Sequence, residues 1–234
     1  MKTNDLYASG AVRAALGQTL RPGGVTLTRR LLSLADLRPG AVVLDAGCGC
    51  GATLALLRGA GVQALGLDVR TDFLCQAHAQ GHGVMQADMA ALPVATQSLD
   101  AVFCECAWNL STKDQTLTEF FRVLKPGGRL FLTDIFARGI QSNTWPVRCC
   151  FAQATDMHTL TEQVVRAGFC LEVLEDHTDL LKKTAADFVF RHGSLHGFWQ
   201  AVTGDVHLAT AACAASAQAR PGLFALVARA EKEK

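Results

Sequence analysis

Neither sign of charge dominates this chain: 22 lysines and arginines face 21 acids, a formal net charge of +1. That balance offers no electrostatic footprint for a phosphate backbone and disfavours nucleic acid as a partner. No apolar run reaches the roughly 20 residues that a membrane-spanning helix needs, so no membrane partner is expected. The opening residues Met1-Lys2-Thr3-Asn4-Asp5 lack the apolar core of a signal peptide, and the expected location is the cytoplasm. Tyrosine occurs once, at Tyr7, and proline only six times, so the punctuation between elements falls mainly to 21 glycines. With 50% hydrophobic and 18% charged residues in 234, the chain reads as one compact domain over 1–234.

Cysteine is abundant instead. Nine cysteines, an odd number without an export signal, argue for reduced thiols and against a disulfide framework. Cys75, Cys170 and Cys213 fall in apolar surroundings and read as small buried hydrophobes. Cys48, Cys50, Cys104, Cys106, Cys149 and Cys150 flank expected loops.

The stretch from Val42 to Gly51 organises the rest. An apolar strand carries an acid, Asp45, and is followed by three alternate glycines, Gly47, Gly49 and Gly51, that open a helix. Glycine is wanted where a strand turns sharply into a helix and a ligand must approach the backbone. Gly47, Gly49 and Ala52 also satisfy the dinucleotide pattern, which keeps a nicotinamide dehydrogenase open as an alternative. Asp45 argues against it: a carboxylate beside the loop repels a pyrophosphate and suits the ammonium group of S-adenosylmethionine.

Along the chain, a helix is expected from about Thr26 to Leu37 behind an arm in which Tyr7 is either a lid residue or a surface aromatic. A second strand, Val62 to Leu67, ends at Asp68-Val69, where a carboxylate can accept ribose hydroxyls. The third strand exits at Asp88-Met89, an acid for an adenine amino group and a soft wall for the ring. A fourth strand runs into Glu105-Cys106. The helix from Thr112 to Leu124 ends in Arg122 and Lys125, read as complements to its negative end, and a fifth strand closes at Asp134. Strands and helices in this alternation mean a parallel α/β sheet with helices on both faces. Two or three helices between Leu180 and Arg220 form an insert before a last strand. Three segments lead to that strand: arm and first helix (1–38), cofactor core (39–178) and insert (179–221); the strand itself is 222–230. His192 and His196 sit four apart but lack the partners of a metal site, and no metal is expected.

Val42 to Gly51, Asp68, Asp88-Met89, Ser98-Leu99-Asp100 and Arg122-Val123-Leu124-Lys125-Pro126-Gly127-Gly128, in that order, resemble the class I S-adenosylmethionine-dependent methyltransferases. The resemblance implies a Rossmann-like, seven-stranded, mostly parallel sheet. Its last strand is antiparallel, with strands six and seven near Leu171–Leu174 and Leu223–Ala228. It implies S-adenosylmethionine as cofactor and S-adenosylhomocysteine as product, with Asp45, Gly47, Gly49, Gly51, Asp68, Val69, Asp88, Met89 and Glu105 at the cofactor. A small-molecule acceptor is expected, on a monomer or homodimer.

Past the fourth strand, Cys106-Ala107-Trp108-Asn109-Leu110-Ser111 resembles a segment of the arsenite methyltransferases, and Cys150 holds the place of that family's later cysteine before Ala167-Gly168-Phe169. Thr53 and Leu54 stand where the family has another cysteine. The resemblance implies that Cys106 and Cys150 hold a thiophilic acceptor such as arsenite, with Glu105 beside them as a catalytic residue. Soft thiolates on a soft element are sound chemistry. The bland readings stay open: Cys104, Cys106, Cys149 and Cys150 pack beneath a loop, or hold a structural zinc. If the acceptor is an oxygen, nitrogen or carbon acid, a base is needed, and Glu105, Asp134 and His158 are the candidates. A non-catalytic cofactor-binding or thiol-rich metal-binding protein on the same fold is the alternative.

Overall fold

A computed structural model describes residues 6–140 and 145–232. Met1 to Asp5, on which the expectation of an absent leader rests, lie outside the described residues.

The strands are β1 (Val42–Ala46), β2 (Gln63–Asp68), β3 (Val84–Gln86), β4 (Leu99–Glu105), β5 (Leu124–Ala137), β6 (Phe169–Asp176) and β7 (Pro221–Ala230). They form one sheet in the order β3-β2-β1-β4-β5-β7-β6. β1 pairs in parallel with β2 and with β4, Val43 standing opposite both Ala64 and Ala101. β7 alone runs against its neighbours, with Leu226 opposite Leu132 of β5 and Leu174 of β6. The expected seven strands, the antiparallel last strand and the positions of strands six and seven are all observed.

The helices are α1 (Gly10–Leu16), α2 (Gly24–Ala35), α3 (Ala52–Gly59), α4 (Thr71–Ala79), α5 (Lys113–Val123), α6 (Met157–Arg166), α7 (Thr178–His192), α8 (Leu195–Thr203) and α9 (Val206–Ala219). β4 is buried along almost its whole length because helices cover both of its faces, which is why it reads as a continuous apolar run. On one face, Leu117 and Phe120 of α5 and Leu160 and Val164 of α6 meet Leu130 and Leu132. On the other, Leu27 and Leu31 of α2, Leu57 of α3 and Leu181 of α7 meet Phe103 and Phe131, whose rings stack at 4.4 Å. α2 buries Leu27, Thr28, Leu31 and Ala35, the spacing of one helical stripe; it begins and ends two residues before the expected span.

A third apolar cluster lies off the sheet. Leu6 and Val12 of the arm pack with Val147, Phe198 and Trp199, and with Ala209 and Ala212 of α9, so arm and insert hold one another. The insert is three helices, and the left-handed Gly193 between α7 and α8 puts His192 and His196 on different helices. The spacing of four therefore does not set them on one helical face.

Two sequence readings are corrected. Cys75 is exposed and Cys170 and Cys213 half-buried, whereas the six loop-flanking cysteines are buried. Cys75 lies on the outer side of α4 and Cys170 on the edge strand β6, where local apolarity does not mean core. Arg122 does stand in the last turn of α5, but Lys125 already belongs to β5, and both side chains reach other partners. Arg122 pairs with Glu119 at 2.7 Å and donates to the carbonyls of Leu92 and Val94, and Lys125 donates to Asp100 at 2.7 Å. Asp100 in turn accepts the Val42 N–H at 2.8 Å, tying the start of β1 to β4.

Candidate active site

The sheet order reverses on either side of β1, and in open α/β sheets a crevice for ligands opens beyond the strand carboxyl ends at such a point. A cavity of about 610 Å³ lies there. It is lined by the glycine loop, the exits of β2, β3 and β4, the start of α5 and, from above, the arm residues Tyr7, Thr19, Leu20 and Arg21.

Gly47 and Gly49 are shaped for this place by different constraints. A Cβ on Gly47 would sit 2.4 Å from the Ala107 Cβ, so the loop and the β4 exit approach too closely for any side chain. A Cβ on Gly49 would meet nothing nearer than Leu20 at 4.0 Å; its backbone lies open towards the cavity at φ +51. Asp68 fixes the loop from the neighbouring strand: one carboxylate oxygen accepts the Gly49 N–H and the other the Arg70 N–H, both at 2.9 Å. Burial raises the Asp68 pKa against the pull of these bonds.

Of the expected cofactor residues, Gly47, Gly49, Asp68, Val69, Asp88, Met89 and Glu105 line the cavity; Asp45 and Gly51 do not. Asp45 lies behind the loop, buried, with one carboxylate oxygen lacking a hydrogen-bond partner. Burial, with the Glu105 carboxylate nearby, pushes its pKa up to about 8. It does not line the cavity, and a carboxyl largely protonated near neutral pH brings no full charge to it. The Cβ direction of Gly51 points at His82, 2.7 Å away, which makes Gly51 a packing glycine between α3 and α4. Asp88 caps its own turn by accepting the Ala90 N–H at 2.9 Å, and the Met89 methyl group lies near Gly47.

Glu105 is well partnered. Its carboxylate takes the Arg21 guanidinium at 3.0 Å and the hydroxyls of Thr28 and Thr53 at 3.0 and 2.7 Å. Thr53, which stands at the position of the family's other cysteine, is therefore one of its hydrogen-bond donors. Oε1 takes all three donors and Oε2 the Thr28 hydroxyl alone, so the carboxylate ties the arm to the end of β4. The other two candidate bases lie away from the cavity. Asp134 is sealed, accepting the N–H groups of Asn109 and Ile135 at 2.8 Å, with its pKa raised by burial to about 7. The His158 side chain is 80% exposed on α6, away from the cavity.

Cys106 and Cys150 are brought into one apolar cluster, though by a device that the sequence only hints at. The Asn109 side-chain amide donates to the carbonyls of Ile135 and Cys150 at 2.7 and 2.8 Å and so clamps the Cys150 segment to the end of β5. Cys106 lines the cavity in a left-handed conformation, φ +54, whereas Cys150 lies beyond its wall. Burial, with Asp134 nearby, raises both thiols well above the ordinary range, and Arg21 opposes this only at Cys106. Both thiols are therefore protonated in the resting protein. Among the described residues, no group of three or more His, Cys, Asp or Glu is arranged to hold a metal ion.

Two cavity residues escaped the sequence reading. Arg21 sits in a Pro-Gly turn that carries no motif. Lys113 looks like an ordinary helix-start lysine, yet its ammonium group lies 4.5 Å from the Trp108 ring and donates to the Gln153 carbonyl at 2.5 Å. Burial pulls its pKa down to about 8.

Comparison with known proteins agrees with the geometry. An arsenite methyltransferase of Aquipseudomonas alcaligenes is 37% identical over 120 residues, which is 43% of this chain and 34% of that protein. The chain spans less than half the length of the first curated relatives it matches. Among solved structures, the [4+2]-cyclase SpnF superposes with a TM-score of 0.70 at 26% identity, over 89% of this chain and 81% of that one. Phosphoethanolamine N-methyltransferase 2 of Haemonchus contortus, solved with S-adenosyl-L-methionine, superposes with a TM-score of 0.76 at 20% identity, over 95% and 56%. Residues 44–132, from the glycine loop through most of β5, match the methyltransferase domain family, and this central part of the chain is a methyltransferase domain of the class I, S-adenosylmethionine-dependent kind.

Proposed function

We propose that the chain binds S-adenosylmethionine and transfers its methyl group to a small-molecule acceptor, releasing S-adenosylhomocysteine. The cavity at the sheet's reversal point carries this reading, because two carboxylates face its loop end while the guanidinium groups nearest them are already engaged. Asp68 and Asp88 line it, Arg70 is paired with Asp72, and Arg21 from the arm is held by Glu105. Such a cradle suits a cofactor bearing ammonium and sulfonium charges and repels a pyrophosphate. The open backbone at Gly49 leaves room where a Cβ would intrude. Asp68 would hold the ribose, and Asp88 with Met89 the adenine.

The bound cofactor supplies a methyl carbon that is already activated. What remains for the protein is to exclude water and hold the acceptor in line, a contribution that can reach about 7 to 11 kcal/mol. Tyr7, Leu20 and Arg21 close the cavity from above. Lys113, with its lowered pKa, is the cavity group best suited to take a proton from an acceptor near neutral pH.

Calorimetric titration with S-adenosylmethionine tests the reading. The wild type should bind, and Asp68→Ala should weaken binding by about 2 to 3 kcal/mol, the scale for hydrogen bonds to a charged group. Unchanged affinity in a folded variant would remove Asp68 from the cofactor site.

Arsenite as acceptor is a second reading, supported by the Asn109 clamp that brings Cys150 towards Cys106 and by likeness to an arsenite methyltransferase. A thiol-bound arsenic atom with a free lone pair would need no general base. The protonated state of both thiols weighs against this reading.

A further inference from the structure

A second, smaller cavity of about 90 Å³ lies between the N-terminal arm and the helical insert. Leu6 and Val12 wall it on one side and Phe188, Phe198 and Trp199 on the other, and none of its lining side chains is charged. Its polar groups are few: the Tyr7 hydroxyl, the Cys150 thiol and the Ser216 hydroxyl. Tyr7 and Leu20 belong to both cavities and form the partition between them. Apolar cavities on the order of 150 Å³ stay dry and take up benzene. At about 90 Å³ this space is smaller and accepts a short branched chain, with its substituent directed across the partition.

We propose that this space is an acceptor subsite for a small, uncharged, apolar group whose nucleophilic atom reaches past Tyr7 and Leu20 into the larger cavity beside Cys106. The proposal rests on the methyltransferase reading and narrows its substrate class. The walls say why the arm and the insert pack together: each contributes one side of a pocket that neither can form alone. Phe188 and Phe198 stack at 4.0 Å between centroids, giving the far wall a flat, rigid apolar face. An oxyanion such as arsenite gains nothing from such walls, whereas an apolar acceptor is both held and oriented by them.

The probe is 2-fluoropropane, observed by fluorine NMR on the full chain, with S-adenosylmethionine affinity measured by calorimetry on the same preparations. The wild type should bind the probe. Ala185→Phe, which fills the cavity from α7, should weaken probe binding about tenfold or more and leave cofactor affinity within about twofold. Phe188→Ala, which enlarges the cavity, should admit fluorobenzene and keeps the test decisive if the filled variant fails to fold. Cofactor binding without probe binding, or probe binding indifferent to both substitutions, overturns the subsite and leaves the methyltransferase reading intact. Probe binding that responds to the substitutions, in a chain that does not bind S-adenosylmethionine, overturns the methyltransferase reading and with it the acceptor role.

Discussion

The Arg21 guanidinium lies 3.0 Å from the Glu105 carboxylate, and both side chains are almost wholly withdrawn from solvent, at 8% and 2% exposure. This ion pair joins the arm to the carboxyl end of β4 directly above the cavity. Removing one partner of a buried pair leaves the other charge uncompensated, at about 3 to 5 kcal/mol. Arg21→Met should therefore destabilise the protein by about that amount in urea unfolding, and adding Glu105→Gln should restore part of it. A single variant with wild-type stability would show that the pair does not hold the arm.

The two loop glycines should fail differently. Gly47→Ala drives a Cβ to 2.4 Å from Ala107 and should cost about 1 to 3 kcal/mol of stability. Gly49→Val has space around its Cβ direction but sets a branched residue at φ +51, so it should lose about 1 to 3 kcal/mol to backbone strain alone while abolishing S-adenosylmethionine binding. Thermal unfolding with cofactor titration separates the two. Retained binding in Gly49→Val would place the cofactor elsewhere.

Asp45 makes stability depend on pH with a definite sign. Its pKa rises from the ordinary 3.8 to about 8 on folding, so between those limits the folded state binds more protons than the unfolded one. Stability should then fall as pH rises through this window, with Asp45 contributing at most about 1.4 kcal/mol per pH unit. Asp45→Asn should flatten the profile between pH 5 and 8 in chemical denaturation. A slope equal to wild type would mean that Asp45 is ionised throughout.

For arsenite, Cys106→Ser and Cys150→Ser should each abolish arsenite-dependent methyl transfer under reducing conditions, since a hydroxyl is a harder and less acidic ligand. Cofactor affinity should stay nearly constant, and the exposed Cys75 provides a control in Cys75→Ser. Wild-type protein that binds cofactor but never methylates arsenite would end that reading alone.

The fold was legible because β1, β2, β4 and β5 announce themselves as apolar runs with acids or glycines at their ends, and those ends are where the cavity opens. Local pattern failed wherever the deciding partner is remote in sequence. Arg21 finds Glu105 and Asn109 finds the Cys150 carbonyl across many residues, and no spacing rule encodes either pairing. The burial of cysteines misled for a related reason. Apolar neighbours in sequence surround Cys170, yet β6 is an edge strand with one neighbour only, whereas the loop cysteines are covered by elements distant in sequence: Cys104 by α5 and α6, Cys50 by Leu20, and Cys149 by the arm and insert. Asp45 was read as a cofactor residue from its place before the glycines, yet it is buried behind the loop and does not line the cavity. Function is less legible still, since a [4+2]-cyclase at 26% identity shares this architecture.

The position of β7 between β5 and β6 sets an order of events during synthesis. β6 has no sheet neighbour except β7, and Leu174 meets the rest of the sheet only through Leu226. A nascent chain that has completed β6 and all three insert helices therefore carries an unpaired strand and an unfinished wall beneath the arm. Closure waits on pairs such as Leu132 with Leu226, contacts of large sequence separation that form slowly. Until then the smaller cavity, which Pro221 of β7 helps to line, lacks a side, so binding of the apolar probe in a translation-arrest series should switch on only when β7 has cleared the ribosome.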